Sequence, residues 1–92
     1  MRIIKDKPFL LSLQNILAHI AEGSLDQAIV FDQELEDKIS HLIDMPWQCR
    51  QSWFHSHPNI RDLIYKGYVV PYLVDEDKDL IVVLNIFTHR NY

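Results

Sequence analysis

Residues 60–92 read IRDLIYKGYVVPYLVDEDKDLIVVLNIFTHRNY, three runs of β-branched, aromatic and aliphatic residues separated by two turn signals. Residues 60–65 lead into Lys66-Gly67, where glycine supplies the positive φ of a two-residue hairpin turn. Residues 68–74 follow, then the acidic turn Asp75-Glu76-Asp77-Lys78-Asp79, then residues 80–87. Side chains alternate across a strand, so Leu80, Val82, Leu84 and Ile86 share one face and Ile81, Val83, Asn85 and Phe87 the other. Apolar residues on both sides predict that both faces of this strand are covered and that it is central. Pro71 lacks an N–H, which predicts an edge position or a bulge for its own strand.

Upstream of these runs the spacing is helical. Ile3 and Ile4 place a first strand at residues 2–6, stopped by Pro8. Phe9, Leu13, Ile16, Leu17 and Ile20 then recur at the spacing of an amphipathic helix, and Gly23 is expected to end it as a left-handed cap. Ser24-Leu25-Asp26-Gln27 has the form of a capping box, opening a second helix over residues 25–43. That helix buries Ala28, Phe31, Leu35, Ile39 and Leu42 and sets Glu34 four residues before Lys38, a favourable surface pair. With almost no linker, the two helices fold back as a hairpin. Residues 46–59 show neither period and read as a loop anchored by Trp47, Trp53 and Phe54, near the upper length for a compact domain, where long loops are functional or mobile. The order is β-α-α-β-β-β, an α+β fold with a twisted antiparallel sheet packed on an N-terminal helical hairpin.

The 92 residues make one domain, 1–92, of ordinary globular composition, with 48% apolar and 24% charged residues. No apolar run approaches a membrane span, and the charged N-terminus lacks a signal-peptide core. The lone Cys49 has no partner for an internal disulfide. A cytoplasmic protein with no membrane association is expected. The net charge of −4 is unevenly spread. Residues 1–45 carry four basic against eight acidic residues, whereas residues 46–92 carry five of each. A chain that grips nucleic acid presents a basic surplus, because counterion release from phosphates supplies much of the affinity. This chain has none, so direct nucleic-acid binding is not expected and a protein partner is.

The chain resembles the ParE/RelE superfamily of bacterial type II toxins over nearly its whole length. The resemblance lies in the element order and in a set of local features. They are Leu42-Ile43-Asp44-Met45-Pro46 followed by Arg50, then Ile60-Arg61-Asp62-Leu63, Tyr68-x-x-x-Tyr72, and a last strand running into Thr88-His89-Arg90. It implies a small toxin held inactive, as a hetero-oligomer, by a cognate antitoxin lying along its sheet and helices. An apolar sheet face left open by so short a chain would need such a cover. RelE-like members cleave ribosome-bound mRNA, and ParE-like members poison DNA gyrase. The RelE pattern sets an Arg after the first Tyr of the third strand, and here that position is Val69. The ParE-like branch, associated with plasmid stabilisation, is therefore favoured: a non-catalytic gyrase inhibitor. An mRNA interferase and an inactive binding module of the same fold are the alternatives.

Under the interferase alternative the catalytic candidates are Arg61, His89, Arg90 and Tyr92, supplying a general acid or base and phosphate contacts. Under either toxin reading the partner-binding candidates are Arg50, Trp53, Arg61, Tyr68, Tyr72, Phe87, His89 and Arg90. His55-Ser56-His57 has the spacing of some metal sites but lacks the third and fourth ligands. The Asp75–Asp79 turn lacks the glycine and spacing of a calcium loop. No metal and no cofactor are expected.

Overall fold

The computed structural model describes residues 1–88. Strand β1 (Arg2–Lys5) leads into α1 (Lys7–Gly23) and α2 (Leu25–Ser40), which ends in a 3-10 turn at His41–Ile43. Then come β2 (Arg50–Gln51), β3 (Ile60–Tyr65), β4 (Tyr68–Asp75), β5 (Leu80–Val83) and β6 (Phe87–Thr88). The sheet runs β1-β5-β4-β3-β2, with β6 pairing β4 beyond the end of β5. The α+β class and the helix-hairpin-on-sheet architecture are as the sequence predicts. Two details differ. The sheet is mixed, because β1 pairs β5 in parallel, Arg2 opposite Leu80 through Lys5 opposite Val83. The loop also contributes an edge strand, with Arg50 opposite Asp62 and Gln51 opposite Arg61.

Each helix starts where its cap dictates. Asp6 accepts from the Lys7 N–H at 3.0 Å, and Pro8 occupies the first turn, where its missing N–H costs nothing. At the hairpin bend a single extended residue, Ser24, serves both helices. Its N–H donates to the Ile20 carbonyl at 3.0 Å, and its Oγ accepts from the Gln27 N–H at 3.2 Å. Gly23 therefore stays helical instead of forming the expected left-handed cap: the one glycine with positive φ is Gly67. There, Lys66 (φ 49°) and Gly67 (φ 82°) form the two-residue turn that joins β3 to β4.

The helical hairpin buries Phe9, Leu13, Phe31, Leu35, Ile39 and Leu42 against Leu63, Val70, Tyr72, Val74, Ile81 and Val83. Phe31 stands edge-on to Tyr65 and Tyr68, with ring centroids at 5.1 and 5.4 Å. β5 lies between β1 and β4, inside the sheet as expected. The surprise is Pro71, which sits in the central strand β4. Its carbonyl accepts from the Leu84 N–H at 2.9 Å, so its nitrogen faces the same side, where β5 gives way to β6. Val82 is opposite Leu73, but Phe87 is opposite Val69, so residues 84–86 hold one residue more than the ladder needs. This bulge falls where Pro71 has no donor to offer. It also reverses the predicted alternation beyond Val83: Ile86 joins Ile81 and Val83 in the core, and Phe87 turns to the opposite face. Asn85 holds the bulge, its Oδ1 accepting from the Ile86 N–H at 2.8 Å and from Ser12 Oγ at 3.0 Å.

Candidate partner-binding surfaces

Residues 46–59 form a strap that wraps the β3 edge and is fastened on both faces of the sheet. On the helix side, the Tyr72 hydroxyl donates to the Pro46 carbonyl at 2.8 Å and Arg61 donates to the Cys49 carbonyl at 3.1 Å. The Arg61 guanidinium also lies 4.9 Å from the Trp47 ring centre. On the outer side, Asp62 Oδ2 accepts from the Trp53 N–H at 3.0 Å and from Arg50 at 3.5 Å. The Arg50 guanidinium stacks 3.7 Å from the Trp53 ring, and Phe54 meets Phe87 edge-on at 5.1 Å. Residues 61 and 62 reach opposite faces because strand side chains alternate.

This geometry sorts the sequence candidates. Arg50, Trp53 and Phe87 gather on the outer face around the strap. Arg61 faces the helix side and is committed to the strap's main chain. Tyr72, expected to meet a partner, is 0% exposed, a core side chain whose hydroxyl fastens Pro46. Burial and the neighbouring Cys49 thiol push the Tyr72 hydroxyl well above the ordinary phenol range, so it stays a donor. Tyr68 lies between the helices and the sheet. His89, Arg90 and Tyr92 lie outside the described residues. Asp62, quoted with Ile60-Arg61-Asp62-Leu63 but not among the site candidates, has a fully buried side chain. The available signal was its register: Ile60, Asp62 and Ile64 share one face, so an acid stands in an otherwise apolar column.

A trough of about 510 Å³ opens between the helical hairpin and the β3–β4 turn. Ile20, Val30, Phe31 and Tyr68 give it apolar walls, and Asp26 and Lys66 stand at its rim. A second hollow of about 330 Å³ on the α1 side shares Tyr68 and Thr88 with it. At the turn, Glu34 accepts from the Tyr65 hydroxyl at 2.6 Å and pairs with Lys66 at 3.2 Å. The hydroxyl's hydrogen bond and then Lys66 hold the Glu34 carboxyl below its usual range. Glu34 thus ties α2 to the β3–β4 hairpin, where helical spacing alone pointed to Lys38. Burial first, then Glu34, raises the Tyr65 hydroxyl.

Val69 is 0% exposed, enclosed on the outer face between its cross-strand neighbours Ile64 and Phe87. A guanidinium at that position would be buried in apolar contacts. Among the described residues, no three His, Cys, Asp or Glu side chains converge as metal ligands, and no helix is long and apolar enough to cross a membrane.

The model of the family described as "ParE toxin of type II toxin-antitoxin system, parDE" matches residues 3–92. A solved structure titled "Chromosomal ParDE TA system from P. aeruginosa" superposes with a TM-score of 0.78 at 19% sequence identity, covering 96% of this chain and 95% of that one. At that identity the likeness speaks to the fold. No curated protein sequence matches the chain.

Proposed function

We propose that this chain, which belongs to the ParE toxin family of type II toxin-antitoxin systems, arrests growth by binding DNA gyrase without catalysing a reaction of its own. In this reading it acts in the cytoplasm and is neutralised by a cognate antitoxin. The observation that carries the choice of target is the burial of Val69. An RNA-cleaving sheet needs cations facing the scissile phosphate to stabilise the charge that develops there. The strand position that bears an Arg in the RelE pattern is here an enclosed valine. The other candidate cation of the sheet, Arg61, is spent on Cys49 and Trp47.

The trough supports the antitoxin half of the reading. Its apolar walls, together with the exposed Leu25, Ile29 and Val30 of α2, suit an amphipathic segment laid along the hairpin. Covering that surface is what an obligate partner of a small toxin would do.

The test is expression of the chain alone, followed by assays on purified gyrase and on ribosome-bound mRNA. The expected result is growth arrest with inhibited supercoiling and intact message. Ribosome-dependent cuts that disappear in His89→Ala or Arg90→Ala would overturn the gyrase reading in favour of an interferase. Unimpeded growth would remove both and leave an inactive binding module.

A further inference from the structure

We propose that the outer half of the strap has two seatings on the β3 edge and that the Arg50–Asp62 pair is the catch between them. In the seating the structure holds, the two side chains share one long contact. In the second they close as a fork, Arg50 Nε donating to Asp62 Oδ1 and Nη2 to Oδ2, and the Trp53 ring moves with them. The inference goes beyond the toxin reading and does not depend on which target the toxin has.

Among the described residues, three buried side-chain atoms have no hydrogen-bond partner: Arg50 Nε, Arg61 Nε and Asp62 Oδ1. All three belong to side chains that fasten the strap. Buried polar atoms in folded proteins are nearly always bonded, so orphans gathered at one element call for a physical cause.

The donors around Asp62 are unevenly shared. Oδ2 accepts from the Trp53 N–H at 3.0 Å and from Arg50 Nη2 at 3.5 Å, whereas Oδ1 accepts from nothing. Arginine–carboxylate bonds are ordinarily shorter, about 2.7–2.9 Å, and frequently come in parallel pairs. Both ends of the missing bond are in place, an idle donor on Arg50 and an idle acceptor on Asp62. The two residues stand directly opposite each other in the β2–β3 ladder. With the Asp62 side chain fully buried, little water screens the attraction between them.

Arg50 has a second claim on it. Its guanidinium lies 3.7 Å from the Trp53 ring centre, a cation–π contact. Arg50 is 30% exposed and Trp53 70%, so both side chains have room to shift. The residue between Gln51 and Trp53 does not. The Ser52 N–H donates to the Ile60 carbonyl at 2.8 Å, and Ser52 Oγ accepts from the Phe54 N–H at 3.1 Å. The change is therefore confined to the Arg50 and Trp53 side chains and the Asp62 carboxyl, while the main chain stays on the sheet. Trp53 follows because its N–H and its ring are bound to the two members of the pair.

The test is relaxation-dispersion NMR on the isotope-labelled full chain. It reads the Arg50 Nε–H and the Trp53 indole N–H, with the Trp47 indole N–H and the Gly67 amide as controls. Microsecond-to-millisecond exchange at one shared rate is expected at Arg50 and Trp53 and not at the controls. Arg50→Lys keeps the charge but cannot form the fork, and should abolish the exchange at Trp53. Asp62→Asn, which lacks the second acceptor oxygen, should do the same; if that variant does not fold, Arg50→Lys decides alone. Signals without dispersion at Arg50 and Trp53 would mean a single seating with water bridging the gap, and would overturn the inference. So would exchange that survives in Arg50→Lys. Exchange shared with Trp47 would also overturn it, since the whole strap would then be lifting off the sheet.

Discussion

Arg61 and Asp62 are consecutive in β3, face opposite sides of the sheet, and hold the same strap, Arg61 through the Cys49 carbonyl and Asp62 through the Trp53 N–H. The strap's two halves are therefore fixed by one short stretch of backbone. Asp62→Ala removes the acceptor of the Trp53 N–H and the counter-charge of Arg50 in a buried setting. The expected cost is about 2–3 kcal/mol, a fall in thermal midpoint of roughly 10 °C or more. Asp62→Asn keeps one acceptor oxygen and should recover part of the loss. Thermal unfolding followed by circular dichroism checks both, and an unchanged midpoint in Asp62→Ala would mean that the strap is held by other contacts.

Glu34 gives the fold a pH dependence of predictable sign. Its carboxyl is lowered in the folded state, first by the Tyr65 hydroxyl and then by Lys66. A group shifted in this direction contributes stability above its unfolded pKa and loses it as the pH falls through the folded value. The difference between wild type and Glu34→Gln should therefore be fully present near neutrality and should shrink through the acidic range, from about pH 5 downward. Urea midpoints at a series of pH values measure it. A difference that stayed constant with pH would show that the Glu34 carboxylate contributes by shape and not by charge.

Tyr72 has the opposite behaviour at the other end of the scale. Burial, and then the Cys49 thiol, raise its hydroxyl, so the folded protein keeps the proton that the unfolded chain gives up near pH 10. Tyr72→Phe loses the bond to the Pro46 carbonyl and should cost about 1 kcal/mol at neutral pH. Above about pH 10, ionisation of the unfolded tyrosine lowers wild-type stability, a loss the phenylalanine variant escapes. The gap between the two should close as the pH rises, and denaturant midpoints at neutral and alkaline pH decide it.

What the sequence disclosed and what it hid divide along a physical line. The helices, the Ser24 cap and the Lys66-Gly67 turn rest on residues within a few positions of each other, and local chemistry suffices to read them. The bulge at residues 84–86 depends on Pro71 in the neighbouring strand, so no pattern within residues 80–87 predicts the reversal of Ile86 and Phe87. The parallel pairing of β1 is a matter of where a four-residue strand docks, which its own side chains do not encode. Glu34 found Lys38 by helical spacing, but Tyr65 and Lys66 arrive from the sheet and take its carboxylate. Of the candidate site, Arg50, Trp53 and Phe87 came together on one face, while Tyr72 went to the core because its apolar ring and its hydroxyl were both satisfied there. Asp62 stood in the sequence only as part of Ile60-Arg61-Asp62-Leu63, and its purpose became apparent with the strap folded over it.

The two glycines make opposite predictions from the same substitution. At Gly67 the backbone has φ +82°, and a built Cβ meets nothing within 4 Å. The cost of Gly67→Ala is then conformational alone, about 1 kcal/mol for placing an L-residue in the left-handed region. At Gly23 the surroundings are equally open, but the residue is helical and Ser24 makes the turn. Gly23→Ala should therefore stabilise the protein by about 0.5–1 kcal/mol, by lowering the entropy of the unfolded chain in a conformation alanine prefers. Chemical denaturation of the two variants beside wild type should move the midpoints in opposite directions. A loss of stability in Gly23→Ala would restore the left-handed cap that residues 20–24 suggest on sequence grounds, and would contradict the extended Ser24 on which both helices depend.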